Sequence, residues 1–196
     1  MTGIVCKDYV NIKSPYAIMN ISKSIFEHLY SSIETYQELI ILCIGTDRST
    51  GDSLGPIVGY KLKPYISSYE KVHLLGTLDQ PVHAKNLEDT INKINSTYRN
   101  PFILAIDASL GSFNKIGYVN INKGPLKPGL GVNKNLPSIG DISITGIVNV
   151  GGIMEYMVLQ NTRLGLVMNM AEIIAKSINI ALFKLYYKDK DNMSSP

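Results

Sequence analysis

Residues 39–56 read Leu-Ile-Ile-Leu-Cys-Ile-Gly-Thr-Asp-Arg-Ser-Thr-Gly-Asp-Ser-Leu-Gly-Pro. The first six are an unbroken apolar run, the pattern of a strand buried on both faces of a parallel sheet. Gly45 ends the run, a polar loop follows, and Asp52 or Ser53 stands where a helix N-cap is expected. That helix is predicted through about Lys63, stopped by Pro64. A second apolar run, Phe102-Ile-Leu-Ala-Ile, ends on Asp107 in the same way. Sheets of this class bind ligands beyond the carboxyl ends of their strands. Acids at the tips of two adjacent parallel strands therefore converge on one crevice.

Outward from these two runs, strands and helices alternate. A helix is predicted over residues 16–33, with Ile18, Ile21, Ile25 and Leu29 on one face. A strand at 72–78 and a helix at 84–96 follow the first loop. The stretch 116–122 alternates like a strand exposed on one face, at or near a sheet edge. A Gly/Pro-rich loop (124–134) and a strand over 141–149 come next. A short helix (153–159) then precedes a long one (161–186) with Leu164, Val167, Met168, Ala171, Ile174, Ile178 and Leu182 on its apolar face. The rhythm implies a three-layer α/β/α sandwich around a mostly parallel mixed sheet. One domain is expected over the 196 residues, with 188–196 as a frayed polar tail.

Composition narrows the function. A net charge of +3 with scattered Lys and Arg gives no stripe for nucleic acid. Neither Cys6 nor Cys43 sits in a CxxC pair, which speaks against zinc ribbons and thiol redox motifs. The first residues lack a signal-peptide pattern, and the apolar runs fall short of the roughly 20 residues that span a bilayer. A soluble cytoplasmic protein is expected, with no membrane partner.

A strand–glycine loop–helix also suggests a phosphate cradle. A Walker loop, however, needs Lys-Ser/Thr after its last glycine, and Asp52-Ser53 stands there instead. No GxGxxG is present. Asp52 reads either as a helix cap or as a site acid, and the two are compatible. Asp107 reads either as a strand-ending acid bonded to loop amides or as its partner. If the two lie close, one holds a proton while the other activates water. His28 and His73 read as structural or solvated, whereas His83, after the second strand, can approach the crevice. Asp141 reads as a turn former or a third acid. The glycines of 128–134 leave backbone free to approach a ligand or form a surface turn.

Three motifs, Gly45 to Pro56, Ala105-Ile-Asp-Ala108 and Pro128-Gly-Leu-Gly-Val-Asn-Lys134, resemble the germination protease family of spore-forming bacteria. That enzyme, GPR, degrades small acid-soluble spore proteins. The shorter YyaC group of sporulation proteins is similar over about residues 39–176, including the run Gly140-Asp-Ile-Ser-Ile-Thr-Gly-Ile-Val-Asn149. The resemblance implies an atypical aspartic protease fold shared with hydrogenase maturation proteases, phosphorylase/hydrolase-like in layout. It implies Asp52 and Asp107 as the catalytic pair. Gly45, Asp47, Arg48, His83, Gly129, Gly131 and Asn133 are the candidate substrate contacts. It further implies a peptide or protein substrate, no cofactor, and a place in the cytoplasm of forespore or mother cell. In the hydrogenase proteases acids matching Asp52 and Asp107 bind nickel, so a divalent metal on these two is the alternative. A non-catalytic sporulation factor that binds a peptide in the same crevice is the third reading. Asp47 and Arg48 depart from the family pattern, and the long additional segments of GPR have no counterpart, so its zymogen control does not carry over.

Overall fold

The computed structural model describes residues 9–128 and 136–193. Its six strands are β1 (Tyr9–Asn11), β2 (Glu38–Cys43), β3 (Val72–Leu75), β4 (Pro101–Gly111), β5 (Tyr118–Lys123) and β6 (Ile142–Val150). They form one sheet in the order β1-β5-β6-β4-β2-β3. β3, β2, β4 and β6 are mutually parallel, while β5 runs antiparallel to β6 and to β1. The helices are α1 (Ala17–Ser31), α2 (Leu54–Ile66), α3 (Leu87–Thr97), α4 (Glu155–Gln160) and α5 (Leu164–Met193). The α/β class and the mixed, mostly parallel sheet expected from sequence are what the chain forms.

The two faces of the sheet are covered unequally. On one face Leu39, Ile41 and Cys43 of β2, Leu104 and Ile106 of β4, and Ile142 and Ile144 of β6 pack under α1, α2 and α5 in one continuous core. On the other face Ile40, Leu42, Ile103 and Ala105 pack against Leu87 and Ile94 of α3. That second cluster stops at β4. Beyond it the same face of β6 and β5 carries Ser143, Thr145, Asn120 and Asn122, and no helix of the described residues covers them. Strand alternation makes both patterns possible at once, because successive side chains face opposite sides.

Several boundaries differ from the sequence reading. α2 runs through Pro64 to Ile66, because a proline in an exposed last turn forfeits a single bond to the carbonyl four residues earlier. Neither Asp52 nor Ser53 caps α2 through its side chain. The Ser53 hydroxyl instead donates back to the Thr50 carbonyl at 2.7 Å. β1 went unread, since its three residues are too few to show a period. Placed outside β5, it makes β5 the second strand, near the edge as its alternation implies. On α5, Leu164 and Met168 are exposed while Val167, Ala171, Ile174, Ile178 and Leu182 are buried. The apolar stripe therefore starts at Val167, and the first turn projects past the core. The stretch Leu164–Tyr186 is long and apolar enough by composition to cross a membrane, against the sequence expectation, and half of it is buried inside the structure.

α2 meets the end of β2 backbone to backbone. A Cβ on Gly55 would lie 2.1 Å from the Ile44 carbonyl oxygen, and one on Gly59 would lie 2.6 Å from that of Gly76. Gly165, on α5, has nothing within 4 Å of the same position. In an open helix, Gly→Ala gains about 0.5–1 kcal/mol. Gly165→Ala should show that gain in urea unfolding. Gly55→Ala should reverse its sign and cost roughly 2 kcal/mol or more, because a rigid carbonyl must move. Equal behaviour of the two variants would contradict the close approach.

Candidate active site

The carboxyl ends of β2 and β4 lie where the chain changes direction across the sheet. From β2 it passes through α2 on one face to β3, then returns through α3 on the other face to β4. Loops therefore part on either side of the β2–β4 gap, which is the switch-point geometry that leaves a crevice. β2 and β4 are direct neighbours up to Cys43↔Ile106. Asp107 follows immediately on β4, and Asp52 arrives on the loop that leaves β2.

That loop is folded back tightly. Gly45 has φ of +140°, and its missing Cβ would stand 2.0 Å from the Asp52 carbonyl oxygen. The Thr46 amide donates to that carbonyl at 3.1 Å. A single 3-10 turn, Gly51–Ser53, then presents the Asp52 carboxylate before α2 begins. Asp107 is not the last residue of its strand, as the sequence suggested: β4 continues to Gly111. It is 6% exposed, and its Oδ1 accepts the Ala108 amide at 2.8 Å.

Both acids open onto one cleft of about 650 Å³. Its floor is the uncovered polar half of the sheet, with Asn120, Asn122, Ser143 and Thr145. Ser109 to Ser112 form one wall, Leu159 and Glu155 of the α4 region another, and Lys115 and Lys127 add positive charge to the lining. Burial pushes the Asp52 carboxyl above its ordinary value; a hydrogen bond from the Thr46 backbone and the nearby His83 act in the opposite direction. Cys43 is fully buried and burial drives its thiol upward, so it is no nucleophile.

The other sequence candidates separate. His83 is close enough to Asp52 to act on its charge, and its Nδ1 accepts the Lys85 amide at 3.3 Å, but it is not part of the cleft wall. Gly45 shapes the loop from behind. Asp47 and Arg48 are solvent-exposed, outside the cleft lining, and form no ion pair among the described residues. Gly129, Gly131 and Asn133 lie outside the described residues. Asp141 sits before β6, where its Oδ2 accepts the Ile103 amide at 2.8 Å, so it joins two strand starts at the far end of the sheet. His73 lies 2.8 Å from Glu38 at that same far end. The polar floor and the wall past Asp107 escaped the sequence reading. The alternation Asn120-Ile-Asn122 was the one available signal, since it marks a strand with a wet face.

Among the described residues, no three of His, Cys, Asp and Glu gather where they could hold a metal ion. Asp52 and Asp107 supply two hard oxygen donors and no imidazole or thiolate, which is a poor match to nickel or zinc.

Comparison with known proteins supports the architecture. The fold is similar to that of the [NiFe] hydrogenase maturation protease HycI from Thermococcus kodakarensis KOD1, with a TM-score of 0.52 and 18% identity over 79% of this chain and 98% of that one. In sequence the chain is 56% identical over 142 residues to "Uncharacterized protein YyaC" of Bacillus subtilis (strain 168), covering 72% of this chain and 68% of that one. Residues 9–177 match the family described as "Protein of unknown function (DUF1256)", and the chain belongs to that family.

Proposed function

We propose that the protein is a peptidase that hydrolyses peptide bonds with Asp52 and Asp107 as its acid pair. The observation that carries this reading is the common cleft. Two carboxyl groups, delivered by neighbouring strand ends, face one cavity large enough for several residues of a peptide. Asp52, pushed up by burial, serves as the proton donor. Asp107, oriented by the Ala108 amide, serves as the base.

Asp107 takes a proton from water as its oxygen attacks the scissile carbonyl, while Asp52 donates to the carbonyl oxygen. When the tetrahedral intermediate collapses, Asp107 passes its proton to the departing nitrogen, and the second hydroxyl proton returns to Asp52. Atoms and charges are then restored. The fold held in common with a maturation protease is consistent with this chemistry, although fold alone does not bring activity. The motif resemblance to the germination protease supports a spore protein as substrate and a role in sporulation. The reading needs no metal, in keeping with a donor set of two carboxylates.

Asp52→Asn and Asp107→Asn should each lower kcat/KM on an unfolded polypeptide about a thousandfold or more, chiefly through kcat. Retention of full activity in either variant, measured by mass spectrometry of the products, would sink the pair mechanism. Elemental analysis of protein purified without chelator should find no stoichiometric divalent metal. A full equivalent that disappears in Asp52→Asn would replace this mechanism with a metal-assisted one.

A further outcome concerns stability. The folded protein holds the Asp52 proton more tightly than the unfolded chain, whose carboxyl titrates near 3.8. The contribution of this group to stability is therefore complete below that pH and is lost as pH rises through the folded value. Asp52→Asn has no such loss. Its Tm relative to the unsubstituted protein should climb as the pH rises above about 4. A flat or falling difference would show that Asp52 is not held against its charge.

A further inference from the structure

β4 runs on to Gly111 after its neighbour β2 has stopped. The two pair as far as Cys43↔Ile106, and the last link is the Ile44 amide donating to the Ile106 carbonyl at 2.7 Å. The chain then turns away at Gly45, whose amide goes to the Val82 carbonyl at 2.7 Å. In a parallel ladder each residue sends its amide and carbonyl to the same side, and successive residues alternate. Ile106 fixes the phase. Ala108 and Leu110 face the space that β2 has left, while Asp107, Ser109 and Gly111 turn toward β6. The Gly151 amide on the Gly111 carbonyl at 2.8 Å agrees with this phase.

The Ala108 amide is taken by the Asp107 carboxylate. Among the described residues, no backbone group pairs with the Ala108 carbonyl or with the amide and carbonyl of Leu110 outside the strand ladder. Residues 108–111 are part-exposed and line the cleft. An unpaired strand edge is a template for another strand. This one is recessed, because β4 lies fourth of six strands in the sheet. A second folded sheet has no access to an interior strand, whereas a single extended chain can enter the cleft.

We propose that the open edge of β4 at Ala108–Leu110 binds substrate as an added strand. The substrate class is then an extended polypeptide segment, unfolded or terminal, recognised mainly through its backbone. This rests on the peptidase reading of the cleft. A strand laid along Ala108–Leu110 passes directly beside Asp107 and continues the line of β2 toward the turn that carries Asp52. Its side chains alternate between the sheet face that carries Asp107 and the apolar side at Leu159.

The test uses the full chain carrying Asp107→Asn, which keeps the side-chain oxygen for the Ala108 amide. Asp52→Asn serves if the first does not fold. An immobilised random dodecapeptide library supplies the tightest binder, which is then resynthesised with each backbone nitrogen methylated in turn. N-methylation at alternate positions should weaken binding about tenfold, with twofold or less at the positions between. The Leu110 amide should become protected from hydrogen exchange when the peptide is bound. Uniform sensitivity along the peptide, an unchanged Leu110 amide, or the absence of any dodecapeptide binder would each overturn the proposal. Alternating sensitivity without hydrolysis by the unsubstituted protein would leave the strand edge standing and remove the peptidase reading.

Discussion

Backbone-to-backbone contact at the end of β2 is the constraint on which the rest depends. A Cβ on Gly76 would stand 1.8 Å from the Cys43 carbonyl oxygen, one on Gly55 2.1 Å from that of Ile44, and one on Gly45 2.0 Å from that of Asp52. Three consecutive residues of the strand end are thus gripped by chain from three directions. No side chain fits between them. The helix α2 starts closer to the sheet than ordinary packing allows, and the loop before it folds back over the strand tip. Asp52 is carried there by this fold-back, half-buried, without the cap interaction that an acid before a helix commonly makes. Its raised proton affinity follows from that position, because the loop withdraws the carboxyl from water.

Unequal cover of the sheet supplies the other half of the site. One face is sealed from β3 to β5 by α1, α2 and α5, so it needs apolar residues throughout. The other is sealed only where α3 lies. Past β4, the strand residues of β5 and β6 that line the cleft are Asn120, Asn122, Ser143 and Thr145, with Ile147 the one apolar member. The fold can leave this region open because the first face alone buries most of the core. A sheet with both faces sealed would have no open floor next to its strand ends.

The buried strands were legible because an unbroken run such as Ile40-Ile-Leu-Cys-Ile44 has few other fates in a chain of this composition. The alternation of strands and helices made the parallel sheet legible, but alternation fixes strand direction and not strand order. The adjacency of β2 and β4 that brings Asp52 and Asp107 to one cleft is therefore supplied by the tertiary structure. Other features were hidden for physical reasons. The extension of β4 to Gly111 uses Ala108, Ser109, Leu110 and Gly111, a mixture with little strand preference, held by pairing to β6 that only the tertiary structure supplies. Leu164 and Met168 continue the helical period of α5 beyond the surface it packs on, so periodicity alone placed them inside. Pro64 looks like a stop in sequence, yet the last exposed turn of a helix tolerates it. Asp47 and Arg48 drew attention by charge, yet in a surface loop charge needs no partner.

The break in pairing at Cys43 links these halves. Had β2 continued beside β4, Ala108 and Leu110 would be saturated, and the loop bearing Asp52 would begin farther along the sheet, away from the cleft that Asp107 lines. By stopping short, β2 leaves an unpaired edge and places an acid above it in the same step. On the proposed reading, the acid and the backbone template share one origin in the chain. A peptide held on that edge would be positioned by main-chain bonds against rigid strand, and rigid elements locate reacting atoms better than loops do. The tight glycine contacts behind Asp52 have the same effect on the acid. Substitution there would displace the carboxyl and the end of the edge together, so binding and chemistry are expected to fail as one unit.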